Sequence, residues 1–76
     1  MSKLPTLTGK GIVSLLKKTG FIVERQRGNH VFLKHEDGRA TVVPVHSGEA
    51  IGPGLLSKIL RDVEMIKEEL SEVLES

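Results

Sequence analysis

The dipeptide Asp37-Gly38 constrains this chain more than any other feature. It sits in Glu36-Asp37-Gly38-Arg39, between two short runs rich in apolar and β-branched residues at 30–35 and 40–44. Asp-Gly takes up the backbone twist of a tight hairpin at little cost, so the two runs are expected to pair as antiparallel strands. Just upstream, residues 21–26 read as another strand. Arg27-Gly28-Asn29 joins it to the next, because glycine and asparagine both tolerate positive φ. Pro44 ends the third strand, since it has no N–H to give a central ladder. Three strands with short links make an antiparallel meander.

Helical patterns flank the meander. Within residues 9–19, Ile12, Val13, Leu15 and Leu16 fall on one stripe at helical spacing. Thr8 can cap the start by accepting a backbone N–H bond. Gly20 can end the helix in the left-handed conformation, with Leu16 touching Phe21 across the cap. Gly9 and Gly11 weaken the first turn, a cost that makes sense where the backbone approaches something closely. Downstream, Pro53 suits a first helical turn, and Leu55, Leu56, Ile59 and Leu60 give an apolar face to residues 53–61. Met65, Ile66, Leu70, Val73 and Leu74 carry the pattern on. No glycine or proline separates the two stretches, so one bent helix and two helices both remain open. The order is α-β-β-β-α with a C-terminal helical extension, an α+β chain whose three-stranded antiparallel sheet buries one face against the helices. It resembles the double-stranded-RNA-binding fold. Its 76 residues, 1–76, are expected to form a single domain.

Composition narrows the chemistry. There is no cysteine, which excludes disulfides, thiol catalysis and cysteine-ligated zinc. No apolar run approaches the roughly 20 residues of a membrane span. The stretch from Met1 to Thr8 lacks the apolar core of a signal peptide. The chain therefore reads as cytoplasmic, with no membrane partner. Its net charge of +1 conceals an asymmetry: residues 1–39 carry eight basic and three acidic side chains, and residues 40–76 carry three basic and seven acidic ones. A basic half can be the footprint of a polyanion. On charge alone it is as simply explained by solvated surface residues. The acidic cluster Glu68, Glu69, Glu72 and Glu75 reads as a solvated face.

Of the three histidines, His30, His35 and His46, His30 is the most informative. It follows the Gly28-Asn29 turn, with Arg25 and Arg27 before it and Lys34 after it. Strand periodicity places His30, Phe32 and Lys34 on one face and Val31, Leu33 and His35 on the other. Lysine is rarely buried, so Lys34 argues that the His30 face points outward. An exposed histidine beside cations can serve RNA cleavage: a ribose 2′-hydroxyl attacks the adjacent phosphate once its proton is removed, and histidine exchanges protons near neutral pH. Lys10, Arg27 and Lys34 are candidate phosphate contacts. Residue type alone also allows His30 to be an ordinary strand residue. The histidine spacings match no common zinc pattern, so no metal site is expected, and no phosphate-binding glycine loop or cofactor motif is present. With no Trp or Tyr and only Phe21 and Phe32, a base-stacking platform for single strands is poorly supplied.

Taken in order, several short stretches look like a known family over nearly the whole chain. They are Thr8-Gly9-Lys10, Leu15-Leu16-Lys17-Lys18-Thr19-Gly20-Phe21, Arg25-Gln26-Arg27-Gly28-Asn29-His30, Val43-Pro44-Val45-His46 and Gly54-Leu55-Leu56-Ser57-Lys58-Ile59-Leu60-Arg61. The set resembles the HicA toxins. That resemblance implies a metal-independent endoribonuclease that cleaves messenger RNA (an mRNA interferase) without a cofactor. Its histidine, in a Gly-Ser-His turn, falls on His30. The resemblance also implies a HicB-like antitoxin partner. Gly28, Asn29 and His46 are expected beside the site, and Lys10 and His46 match recurrent family positions.

The chain departs from the family pattern in four places. Asn29 replaces the serine and keeps a polar turn residue. Val31 stands where many members have a second histidine, at a position expected to face the core. Leu55 replaces a threonine. Glu64 replaces the glycine after the second helix, which leaves that helix free to run on. Two other readings are a non-catalytic double-stranded-RNA-binding module and a protein-interaction domain using the acidic helical tail.

Overall fold

A computed structural model describes residues 7–75, with the side chains of Lys67, Leu74 and Glu75 outside that description. The leader reading at residues 1–6, the charge of Lys3 and the place of Leu74 in the apolar stripe therefore lie outside the described residues. The elements run α1 (Gly9–Lys18), β1 (Ile22–Arg27), β2 (His30–Lys34), β3 (Ala40–Pro44), α2 (Pro53–Asp62) and α3 (Lys67–Glu75). The sheet is antiparallel in the order β1-β2-β3, which is the expected α+β architecture. No helix of the described residues is long and apolar enough to cross a membrane.

Helix α1 forms as its ends dictate. The Thr8 hydroxyl accepts the Gly11 N–H at 3.1 Å. At the far end Gly20 is left-handed, with φ 100°. The Gly20 N–H reaches the Lys17 carbonyl and the Phe21 N–H reaches the Leu16 carbonyl, a paired closure that satisfies two free carbonyls of the last turn. Phe21, expected to open the first strand, is consumed by this cap and buried, so β1 begins at Ile22.

The core lies between the inner face of the sheet and the helices. Ile12, Leu15 and Leu16 of α1 meet Val31 and Leu33 of β2, Val43 of β3, Ile59 and Leu60 of α2, and Leu70 of α3. Strand β1 contributes little, since all six of its residues are exposed and Ile22 is 66% exposed. Its pairing with β2 slips between Val23 and Arg25, so Glu24 is an extra residue in the edge strand, a bulge. Across the inner face, Thr41 of β3 is buried and donates its hydroxyl to Asp62 Oδ2 at 3.0 Å. Lys58 Nζ donates to the same oxygen at 2.9 Å. These bonds pin the end of α2 to the sheet.

The second helix does not run on. It ends at Asp62, and Glu64 takes up the left-handed conformation with φ 55°. The Glu64 N–H bonds to the Arg61 carbonyl and the Met65 N–H to the Leu60 carbonyl, the same closure that ends α1. Val63 is fully buried at the corner. Helix α3 then starts anew, with Glu69 Oε1 accepting the Ile66 N–H at 2.9 Å. A glutamate three residues into a helix, reaching back to the N-cap amide, is half of a capping box. Glu69 is thus a helix cap and not merely part of a solvated face.

Two predictions follow from the α2 corner. Left-handed backbone costs a non-glycine residue about 1–2 kcal/mol, part of which glycine returns as chain entropy. Glu64→Gly should therefore stabilise the fold by about 0.5–1 kcal/mol, read as a higher urea midpoint with an unchanged slope. The Lys58 ammonium and then the Thr41 hydroxyl, opposed by partial burial, hold the Asp62 carboxyl below its ordinary range. A carboxyl lowered in the folded state adds stability that is present above about pH 4, the unfolded range, and is lost as pH falls through the lowered value. Urea titrations of Asp62→Asn should show a flatter loss of stability on the acid side than wild type.

Candidate active site

The site is built at one end of the sheet, where the β1–β2 turn, the end of β3 and the start of α1 come together. Arg27 and His30 face each other across the turn, leaving Gly28 and Asn29 as its two central residues. Gly28 has φ 56°, whereas Asn29 keeps negative φ, so only the first of the two expected residues uses the left-handed region, as in a II′ hairpin turn. Gln26 Nε2 donates to the Gly28 carbonyl at 3.1 Å and steadies the turn.

Strand β2 is central, and its alternation is as expected. Val31 and Leu33 are buried, while His30 and Lys34 are exposed. His30 faces outward between Arg27 on β1 and Pro44 on β3, and its ring has no hydrogen-bond partner among the described residues. The next row holds Arg25, Phe32 and Val42. There the Arg25 guanidinium lies over the Phe32 ring, 4.5 Å from its centre, an arrangement in which cation and ring quadrupole attract. Arg25 and Arg27 therefore share the His30 face. Arg25 stands just before His30 in the sequence but is not among the candidate phosphate contacts expected from it, Lys10, Arg27 and Lys34. Its signal was its spacing of two from Arg27 within one strand.

Lys34 is on the same face but four residues along β2, roughly 13 Å away at about 3.3 Å per residue. The two are not neighbours, and Phe32 stands between them. Val31, where many family members have a second histidine, points into the core. His35 is also away from the site: its ring packs edge-on to Phe21 at 5.1 Å. Among the described residues, no three histidine, aspartate or glutamate side chains gather as a metal site would need.

The loop after β3 completes the arrangement. The Val45 N–H donates to the Asn29 carbonyl at 2.6 Å, and Asn29 Nδ2 lies 3.3 Å from Nδ1 of the exposed His46. His46 is thus held against the residue that precedes His30. The loop is tied to the entry of α1 as well, by the Ile51 N–H on the Leu7 carbonyl at 2.7 Å and a bridge between Thr8 and Ala50. Gly9 lies against the end of β3, where a methyl group would overlap the Pro44 carbonyl oxygen and come within 3.0 Å of Val45 Cα. That contact brings the first turn of α1, with exposed Lys10, to the end of the sheet that carries His30. Gly11 has no such neighbour: its nearest atom would be Thr8 Oγ1 at 3.4 Å.

The family model for the HicA toxin of bacterial toxin–antitoxin systems matches residues 9–65. The chain belongs to the HicA toxin family. It is accordingly the toxin of a toxin–antitoxin pair, in a family whose members are generally ribonucleases and whose partners are antitoxins. No curated protein matches the chain. The matched span runs from Gly9, at the sheet contact, to Met65, at the corner after α2, and so takes in every candidate site residue; α3 lies beyond it. Within the span, Leu55, in place of the usual threonine, is half-buried against the core.

The two glycines of α1 should respond oppositely to alanine. Gly9→Ala should destabilise the fold by about 1–3 kcal/mol, because the methyl can be fitted only by moving backbone. Gly11→Ala should be neutral or stabilising by up to about 1 kcal/mol. Thermal or urea unfolding of the two variants checks both.

Proposed function

We propose that this chain is a metal-independent endoribonuclease that cleaves messenger RNA, with His30 as its proton-transfer residue. The observation that carries the reading is the exposed, unbonded His30 ring, flanked across the β1–β2 pair by Arg27 and in the next row by Arg25. A ribose 2′-hydroxyl is a poor nucleophile until its proton is taken, and an imidazole can take or return a proton near neutral pH. As the oxygen attacks phosphorus, negative charge builds on the phosphoryl oxygens, where a fixed guanidinium is worth most. Histidine and arginine thus supply what the reaction needs from side chains alone. Arg27, paired with His30, and Lys10, on the first turn of α1, are phosphate contacts at this end of the sheet in this reading. Lys34 grips the RNA farther along the same face.

In this reading residues 1–76 act as one domain in the cytoplasm, where messenger RNA is translated. A HicB-like antitoxin silences the toxin by binding it. The outward His30 face is the surface whose covering would block substrate.

The test is cleavage of RNA by purified, antitoxin-free protein in EDTA. Wild type should cleave, and His30→Ala should lose about 10²–10⁴-fold in rate while its circular dichroism and unfolding midpoint stay as in wild type. Cleavage retained by a folded His30→Ala would remove His30 from the chemistry. Salt-dependent RNA binding without any cleavage would leave a binding module in place of an enzyme.

A further inference from the structure

Cleavage of this kind moves two protons, and His30 accounts for one of them. The attacking hydroxyl must lose a proton, and the departing 5′-oxygen must gain one to leave as an alcohol. We propose that His46 is the second proton-transfer residue, delivering a proton to the 5′-oxygen, with Asn29 as the positioning residue that holds its ring. This inference rests on the ribonuclease reading above.

Two observations and one chemical argument carry it. First, His46 is exposed and is brought to the end of the sheet that carries His30: Pro44 pairs with His30, the Val45 N–H bonds to the Asn29 carbonyl, and His46 follows directly. Second, its ring is oriented, because Asn29 Nδ2 lies 3.3 Å from His46 Nδ1. An amide nitrogen only donates, so Nδ1 accepts and the hydrogen of the neutral ring sits on Nε2. A ring held in this way has Nε2 facing away from Asn29, where the protonated form can give up its proton. His30 has no such bond among the described residues and is left free to take the base role. Third, asparagine can hold the ring in both of its states. When His46 is protonated on both nitrogens, the amide turns over and presents Oδ1 to Nδ1–H.

In the reaction the 2′-oxygen forms its bond to phosphorus as the bond from phosphorus to the 5′-oxygen breaks. The hydroxyl proton passes to neutral His30, and His46, protonated on both nitrogens, gives its Nε2 proton to the departing oxygen and becomes neutral. The products are a 2′,3′-cyclic phosphate and a 5′-hydroxyl end, and proton exchange with water returns His30 to its neutral form and His46 to its protonated form.

The test exchanges the leaving atom. A short oligoribonucleotide that wild type cleaves is made with sulfur in place of the 5′-oxygen at the mapped cleavage position. A thiolate leaves without a proton, so an acid is superfluous for this substrate. On ordinary RNA, His46→Ala should be at least about a hundredfold slower than wild type. On the sulfur substrate it should recover to within about tenfold, whereas His30→Ala should remain inactive on both. Asn29→Ala should show the same selective rescue with a smaller initial loss. An equal deficit of His46→Ala on both substrates, or no deficit on either, overturns the acid role while leaving the ribonuclease reading intact. A wild-type protein that cleaves no RNA overturns that reading, and the role of His46 with it.

Discussion

The pleat of β2 is the constraint on which the rest of the structure depends. Its period of two sends Val31 and Leu33 into the core and His30 and Lys34 out. A shift of one residue would bury a histidine and a lysine and expose two core residues at once, so the register is fixed by energy and not merely preferred. Because β2 is the middle strand, that choice also sets which residues of β1 and β3 line the outer face. The functional surface is thus a by-product of core packing on the opposite side of the same strand.

A second junction holds the far end of the sheet to the helices, centred on Arg39. Its Nε bonds to the Asp37 carboxylate, and its Nη1 donates to the Val63 carbonyl at 2.6 Å. Its guanidinium lies 5.1 Å from the centre of the Phe21 ring. One side chain therefore braces the hairpin, covers the α1 cap residue and satisfies a carbonyl at the end of α2. The Arg39 backbone N–H, and after it the guanidinium, holds the Asp37 carboxyl below its usual range. His35 Nδ1 sits beside both the Asp37 amide, at 3.1 Å, and its carboxylate, at 3.0 Å. A neutral ring accepts from the amide and a protonated one donates to the carboxylate, so the hairpin has a partner for either form.

These two junctions divide the molecule by role. At the Arg39 end the half-buried guanidinium bonds to the Val63 carbonyl and packs over buried Phe21, which locks the helices to the sheet, while its bond to Asp37 is exposed. At the His30 end the polar contacts are exposed: the Asn29–His46 bond, the Gln26–Gly28 bond and the Gly11–Thr8 cap. Backbone supplies the rigidity there, through Gly9 against Pro44 and the Val45 amide on Asn29. The side chains of that end are left facing solvent, where a substrate can reach them.

Most of the local structure was legible in the sequence because it rests on short-range rules. The β2–β3 hairpin, the Thr8 cap, the Gly20 stop and the outward His30–Lys34 face each follow from residues within a few positions of one another, although the hairpin turn closes one residue earlier than expected, with the Gly38 N–H on the His35 carbonyl and only Gly38, not Asp37, at positive φ. The features that needed the tertiary structure join residues far apart in the chain. The corner between α2 and α3 has no glycine or proline to announce it. It forms because Val63 is buried, Arg39 reaches across 24 positions to its carbonyl, and Glu69 caps the next helix. The bulge at Glu24 shows only in the pairing of β1 with β2. His46 met Asn29 across 17 positions because the β2–β3 register brought the end of β3 alongside the turn before β2. Sequence determined which local conformations the backbone would accept, since those depend on each residue and its near neighbours. Tertiary structure decided which side chains meet, because that depends on a strand register and a helix corner that no single stretch of the chain encodes.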